Sequence, residues 1–183
     1  MVWVKTNYKQ SWASTKKEPR VYLNNITHDT LSKEILSLYA IIYSDTSHYN
    51  KHFDILMSKK YFEKIIKLYP NDMQNYYNYA KFFQDISDYQ SALNYYDKAV
   101  QIDPNNKYLY YNMGFCSLQM QDYPLAINYF SNSISLDNSF LLAYHARAYL
   151  FELSDNEKKA EIDWKNCLLL DPSYLPAIEG LSK

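Results

Sequence analysis

The chain writes nearly the same sentence three times. "ALNYYDKAVQIDPNN" at 92–106 returns as "AINYFSNSISLDNSF" at 126–140 and as "AEIDWKNCLLLDPSY" at 160–174, each copy 34 residues after the last. A unit of that length cannot bury a hydrophobic face alone, so such units fold by stacking on their neighbours. The 34-residue step aligns Pro70, Pro104, Asn138 and Pro172, then Ala92, Ala126 and Ala160, then the rings of Phe62, Tyr96, Phe130 and Trp164. Earlier in each unit it aligns Tyr76, Tyr110 and Tyr144, followed four places on by the small residues Ala80, Gly114 and Ala148.

The spacing inside a unit predicts two helices. Tyr76, Tyr79, Ala80 and Phe83 fall on one helical face, and Ala92, Tyr96, Ala99 and Val100 make a second such face. Between them "QDISDYQS" supplies Asp and Ser for turns and caps, as do "MQDYP" and "LSDNEKK" in the later units. Pro124 suits the first turn of a helix, where its missing N–H is not needed. The small residues let the paired helices approach closely, and the closing Asp-Pro or Asp-Asn ends the second helix.

Period, unit length and residue classes together make the chain similar to the tetratricopeptide repeat family. The resemblance covers three units, 73–106, 107–140 and 141–174. It implies an all-α fold, a right-handed superhelical α-solenoid of helix–turn–helix hairpins. Three positions depart from the pattern: Ser117 stands where Phe83 and Phe151 predict an aromatic, Arg147 where Tyr79 and Met113 predict an apolar residue, and Asn138 replaces the proline. Upstream, Phe53, Leu56, Met57, Tyr61, Ile65 and Leu68 form a further stripe, and Leu31, Ile35, Leu38 and Ile42 form another. Residues 28–72 are therefore expected to be a divergent hairpin capping the stack. Residues 175–183 are expected to be a short capping helix with Leu175, Ile178 and Leu181 on one face. Residues 1–27 have no sustained period and carry Lys5, Lys9, Lys16, Lys17 and Arg20 against Glu18, which predicts a flexible basic segment. Trp3 and Trp12 within it point the other way, toward docking on the body or a partner.

Composition removes several functions. The formal net charge of −1 argues against nucleic acid as a partner, since phosphate binding needs a basic footprint. Only 2 glycines occur, too few for a phosphate-cradling loop, a dinucleotide fingerprint or a nucleophile elbow. Cys116 and Cys167 lie within apolar helical patterns and are expected to be buried packing groups rather than a disulfide or a zinc site. His48 and His52, near Asp54, fall in a loop-like stretch and lack the remaining ligands of a metal centre. The expectation is therefore a chain with no enzyme activity, no cofactor and no metal. Without a membrane span or a secretory signal, cytoplasmic residence is expected, with the nucleus as the alternative.

One face remains. Once the hairpin contacts are assigned, the first helices leave Tyr77 and Lys81, then Tyr108, Tyr111, Asn112 and Phe115, then His145 and Tyr149, together with Leu142. A solvated face has no use for so many rings. The resemblance implies that this concave face holds a peptide or helix of a partner protein, with Lys81 and His145 favouring an acidic group beside apolar side chains. The family's carboxylate clamp for heat-shock chaperones is absent here: Asn112 matches its central Asn, but Tyr77, Lys81, Leu142 and Ala146 occupy the other columns. An adaptor that binds a protein partner is the leading expectation, and a structural subunit of a larger complex or a small chaperone are the alternatives. Oligomeric state has no signal in the sequence.

Overall fold

The computed structural model describes residues 32–45 and 54–182. The expected segment 1–27 and the two loop histidines lie outside them. Among the described residues there are nine helices and no strands. They are α1 (Lys33–Ser44), α2 (Ile55–Leu68), α3 (Met73–Asp85), α4 (Tyr89–Ile102), α5 (Lys107–Gln119), α6 (Tyr123–Leu136), α7 (Leu141–Leu153), α8 (Glu157–Leu170) and α9 (Leu175–Leu181). Each odd-numbered helix from α1 to α7 pairs with the one that follows it, and each second helix then meets the next first helix, ending with α9 on α8. The result is an all-α solenoid.

Short polar side chains start most of these helices. Asp54, Asp72, Asp88, Asn106 and Asp122 each accept a hydrogen bond from a first-turn N–H at 3.0–3.1 Å. Such caps are worth about 1 kcal/mol each, because those amides have no partner within the helix.

Inside each hairpin the helices touch at Ala92, Ala126 and Ala160, all buried, and at the column of Ala80, Gly114 and Ala148. Gly114 shows how close the approach is: a Cβ there would lie 2.7 Å from the ring of Phe130. At the last hairpin Gly180 of α9 stands against the Trp164 indole in the same way, at 2.5 Å. Both glycines lie within helices, where glycine costs about 1 kcal/mol relative to alanine. Ring contact explains their presence.

The hairpin turns, by contrast, contain no glycine. Ser87, Gln121 and Asp155, spaced 34 apart, hold φ of 62°, 61° and 53°. At each, the N–H bonds back three residues and the next N–H bonds back five, as in Ser87 N–H to the Gln84 carbonyl at 3.0 Å and Asp88 N–H to the Phe83 carbonyl at 2.9 Å. This is the Schellman termination, whose left-handed residue is usually glycine. A side chain there costs energy through its Cβ.

Arg147 resolves its own anomaly. Tyr79 and Met113 stand in its column; in the column of Asp163 stand Tyr95 and Tyr129. Where the first hairpin packs Tyr79 on Tyr95 at 4.4 Å between ring centroids, the third sets a two-pronged ion pair, Arg147 Nε and Nη2 on the two Asp163 oxygens at 2.7 and 2.8 Å. A third guanidinium nitrogen donates to Ser131 Oγ at 2.8 Å, and Asp163 is almost fully buried. An apolar pair has been exchanged for a charged one.

Two stripes pack differently from expectation. In α1 the buried residues are Leu36, Tyr39, Ala40 and Tyr43, not Ile35, Leu38 and Ile42. In α9 the buried residue is Ala177, while Leu175 and Ile178 are exposed. In α1 the rings of Tyr39 and Tyr43 pack on Tyr61 of α2 at 5.3 and 5.7 Å, and in α9 Gly180 comes against the Trp164 indole. The Asp54 side chain caps α2 by accepting from the Met57 N–H.

Two outcomes follow. Gln121→Gly should stabilise the protein by about 0.5–1 kcal/mol, the relief of the left-handed strain less the added unfolded-chain entropy, and thermal denaturation should show a higher Tm. Arg147→Met alone should cost about 3–5 kcal/mol by leaving Asp163 buried without its partner. Adding Asp163→Tyr should restore most of that loss in denaturant titrations, because Met113 and Tyr129 already form that pair one unit earlier.

Candidate functional site

The first helices α3, α5 and α7 carry the residues singled out in the sequence, and those residues divide into two groups. Tyr77, Tyr111 and His145 occupy one column, and all three are half-buried. Each packs on the second-helix ring of its own hairpin: Tyr77 on Tyr96 at 5.9 Å, Tyr111 on Phe130 at 5.6 Å and His145 on Trp164 at 5.3 Å. Tyr111 and His145 also touch the residues that stand just before α7 and α9, Phe140 at 5.2 Å and Tyr174 at 5.6 Å respectively. These rings wedge one hairpin against the next.

The wedge also carries polar contacts. Asn112 Nδ2 donates to the Tyr77 hydroxyl at 3.3 Å, tying α5 to α3. Asn112, the one match to the chaperone clamp, is thus engaged within the protein. The Tyr174 hydroxyl meets His145 Nδ1 at 2.7 Å. Burial lowers the His145 pKa below its ordinary 6.5, so the imidazole is neutral at pH 7.

The second group faces solvent. Tyr108 is 52% exposed, Leu142 48% and Tyr149 45%, while Phe115 is half-buried. Tyr108 packs edge-on against Phe140 at 5.5 Å, and Lys107 Nζ lies 5.0 Å from the Tyr108 ring centre and 4.8 Å from that of Phe140. Cations on these helices have acidic partners of their own: Lys81 pairs with Asp85 one turn on, Lys107 with Asp137 and Arg147 with Asp163. The hydrogen bonds of Asp137 to Lys107 and then to Ser139 hold its carboxyl down at about 2. Lys81 and His145 therefore lend little free positive charge to this face.

Phe140 and Tyr174 were not anticipated. The 34-residue step places them in the column of Asp72 and Asn106, where the earlier units use a polar cap, and an aromatic at a cap position was the available signal. Their helices accordingly lack a side-chain cap. Cys116 and Cys167 are buried, and burial pushes their thiols up to about 12 and about 11, so both stay protonated at neutral pH. At the C-terminal end a recess of about 440 Å³ beside Trp164 is walled by Glu152, Asp155, Glu157 and Glu161. No described helix is long and apolar enough to cross a membrane.

Stacked helical hairpins with small-residue seams and an aromatic inner row define a repeat-solenoid class of protein. A family model described as the tetratricopeptide repeat matches residues 87–154, spanning the end of one unit, all of the next and the start of a third. Over those residues the chain is similar to the tetratricopeptide repeat family, and its helical hairpins continue the same pattern on either side. Among solved structures, it is similar to MamA from Desulfovibrio magneticus RS-1 (TM-score 0.68, 20% identity, 80% of each chain covered). It is also similar to the second tetratricopeptide domain of human RPAP3 in complex with an HSP70 peptide (TM-score 0.54, 26% identity, 57% of this chain and 88% of that one). A third is YrrB, described as a protein of this type with an unusual peptide-binding site (TM-score 0.64, 14% identity, 82% of this chain and 71% of that one). Comparison with curated proteins gives no match.

A pH dependence follows from His145. Its folded pKa lies below 6.5, so its contribution to stability is fully present above that pH and is lost as the pH falls through the folded value. Urea titrations should show stability declining below pH 6.5. His145→Tyr, which restores the residue of the two earlier units, should flatten that decline and stay within about 1 kcal/mol of the parent at pH 7.5.

Proposed function

We propose that this protein is a non-catalytic adaptor that holds an apolar, ring-bearing segment of a partner protein on the concave face formed by α3, α5 and α7. The observation that carries the reading is the exposure of Tyr108, Leu142 and Tyr149 on first helices whose other large apolar side chains are mostly covered. Exposed rings in a row lose nothing when a ligand covers them and gain the burial of their own area. Phe115 and Lys81 complete the face, and Tyr77, Tyr111, Asn112 and His145 shape it from beneath. The solved structures of a related fold with a bound HSP70 peptide and with a peptide-binding site lend support. Because the nearby cations are paired, the preferred segment is apolar rather than acidic, which revises the expectation built on Lys81 and His145.

A second reading, as a structural subunit of a larger assembly, has one observation in its favour. Ile162 and Leu169 lie seven residues apart on one face of α8, and both are exposed. The two readings separate by experiment. Affinity capture with mass spectrometry should recover a partner with the parent protein and lose it with Tyr108→Ala/Tyr149→Ala, while the helical circular-dichroism signal persists. Central aromatic anchors typically cost about 2 kcal/mol or more when truncated, a drop of about 30-fold in affinity. Retention of the same partner by the folded double variant, with loss on Ile162→Ser/Leu169→Ser, would move the interface to α8.

A further inference from the structure

The acidic recess beside Trp164 repeats a socket that the two preceding units fill with a side chain. The socket of the second unit holds Leu150 of α7, which is buried in one cluster with Ala126 and Phe130, and Leu118, Tyr123 and Ile127 pack on that cluster. One unit earlier Cys116 of α5 stands in the same column as Leu150. It is buried in the core that contains Ala92 and Tyr96, and its Sγ lies 3.8 Å from Gln84 Oε1. A step of 34 carries Leu118, Tyr123, Ala126, Ile127 and Phe130 onto Glu152, Glu157, Ala160, Glu161 and Trp164. All five of these line the recess. The side chain that would fill it has no successor. Helix α9 is 7 residues long where α3, α5 and α7 have 13 each, and its last residue, Leu181, stands in the column of Arg147, short of that of Leu150. The third socket is therefore an opening of about 440 Å³.

The chemistry of the socket changes together with its occupancy. Leu118, Tyr123 and Ile127 all become glutamate, while Ala160 and the Trp164 ring keep an apolar floor. Asp155 adds a fourth carboxylate from the turn. Helix electrostatics accounts for Glu157, which lies in the first turn of α8 where the dipole favours negative charge. It works against Glu152 in the last turn of α7 and Asp155 just beyond it, at the negative end of that helix. Nearby cations are engaged elsewhere or with one carboxylate: Lys165 pairs with Glu161, Arg147 with Asp163, and Lys159 Nζ lies 5.4 Å from the Phe151 ring centre. Glu152 Oε1 accepts from the Trp164 indole N–H at 2.9 Å. Among the described residues neither Asp155 nor Glu157 forms an ion pair.

We propose that this recess takes a lysine or arginine side chain from a basic segment of a partner protein. Charge complementarity selects that occupant. Its alkyl stem suits the floor of Ala160, Trp164 and Leu181, and its cationic head suits the rim of Glu152, Asp155 and Glu157. An apolar side chain of the Leu150 kind would cover the same carboxylates without supplying a counter-charge, and an acidic one would add repulsion. The recess uses no ring of the concave row, so a basic segment bound there is a second contact rather than a restatement of the first.

The test is a nuclear magnetic resonance titration of the full, isotope-labelled chain with the peptide acetyl-Ala-Arg-Ala-Lys-Ala-amide, and separately with acetyl-Ala-Glu-Ala-Glu-Ala-amide. The Trp164 indole N–H signal should shift saturably with the basic peptide and stay in place with the acidic one. The backbone signals that move with it should belong to α8, α9 and the end of α7. Glu157 and Glu161 are both exposed, so Glu157→Gln/Glu161→Gln should keep the fold while weakening the basic peptide at least about tenfold. Four results would each overturn the proposal: no shift with the basic peptide, an equal shift with the acidic one, undiminished binding by the double variant, or movement centred on α5, which would place the peptide on the concave face. A Trp164 shift that appears on concentrating the protein without peptide would also overturn it, by assigning the recess to a second copy.

Discussion

The contact between a small residue on each first helix and a ring on its second helix sets the spacing on which the rest of this structure depends. Gly114 beneath Phe130 leaves no room for a single methyl group. Alanine suffices at Ala80 and Ala148, opposite Tyr96 and Trp164, and the alanines Ala92, Ala126 and Ala160 continue the seam. Close backbones bring the outer side chains of both helices within reach of the next hairpin. The stack can then grow by repetition, and its stability is shared between units and their interfaces.

Within that frame the aromatic inner row has two jobs. Tyr77, Tyr111 and His145 fill the wedge between each ring seam and the following unit, and the later two gain a partner in Phe140 or Tyr174. Tyr108, Leu142 and Tyr149 are left toward solvent on the same helices. Arg147 and Asp163 show how far the column rule extends: the pair replaces two apolar neighbours without changing the geometry, provided both charges come together.

Much of this was legible in the sequence. The 34-residue step named the seam residues and the paired helices, since packing at closest approach admits only small side chains and leaves a strong periodic mark. The face of first-helix rings was legible as a set, but its division was not. The cover over Tyr111 comes in part from Phe140, the residue just before α7, whose role only the three-dimensional stack reveals. The register of α1 was misread for a related reason: both of its sides are apolar, so periodicity alone could not choose the inward one. The glycine-free turns left no sequence mark at all, because Ser87, Gln121 and Asp155 look like ordinary polar turn residues.

The central claim is that the rings of the first helices separate into structural wedges and a free binding row. Thermal melts of Tyr111→Ala and Tyr149→Ala, each without any ligand, test it most directly. Truncating the wedge should cost about 2 kcal/mol and lower Tm by about 4–8 °C, whereas truncating the exposed ring should shift it by less than about 2 °C. Equal shifts for the two variants, or a larger loss at Tyr149, would contradict the division and with it the assignment of the binding face.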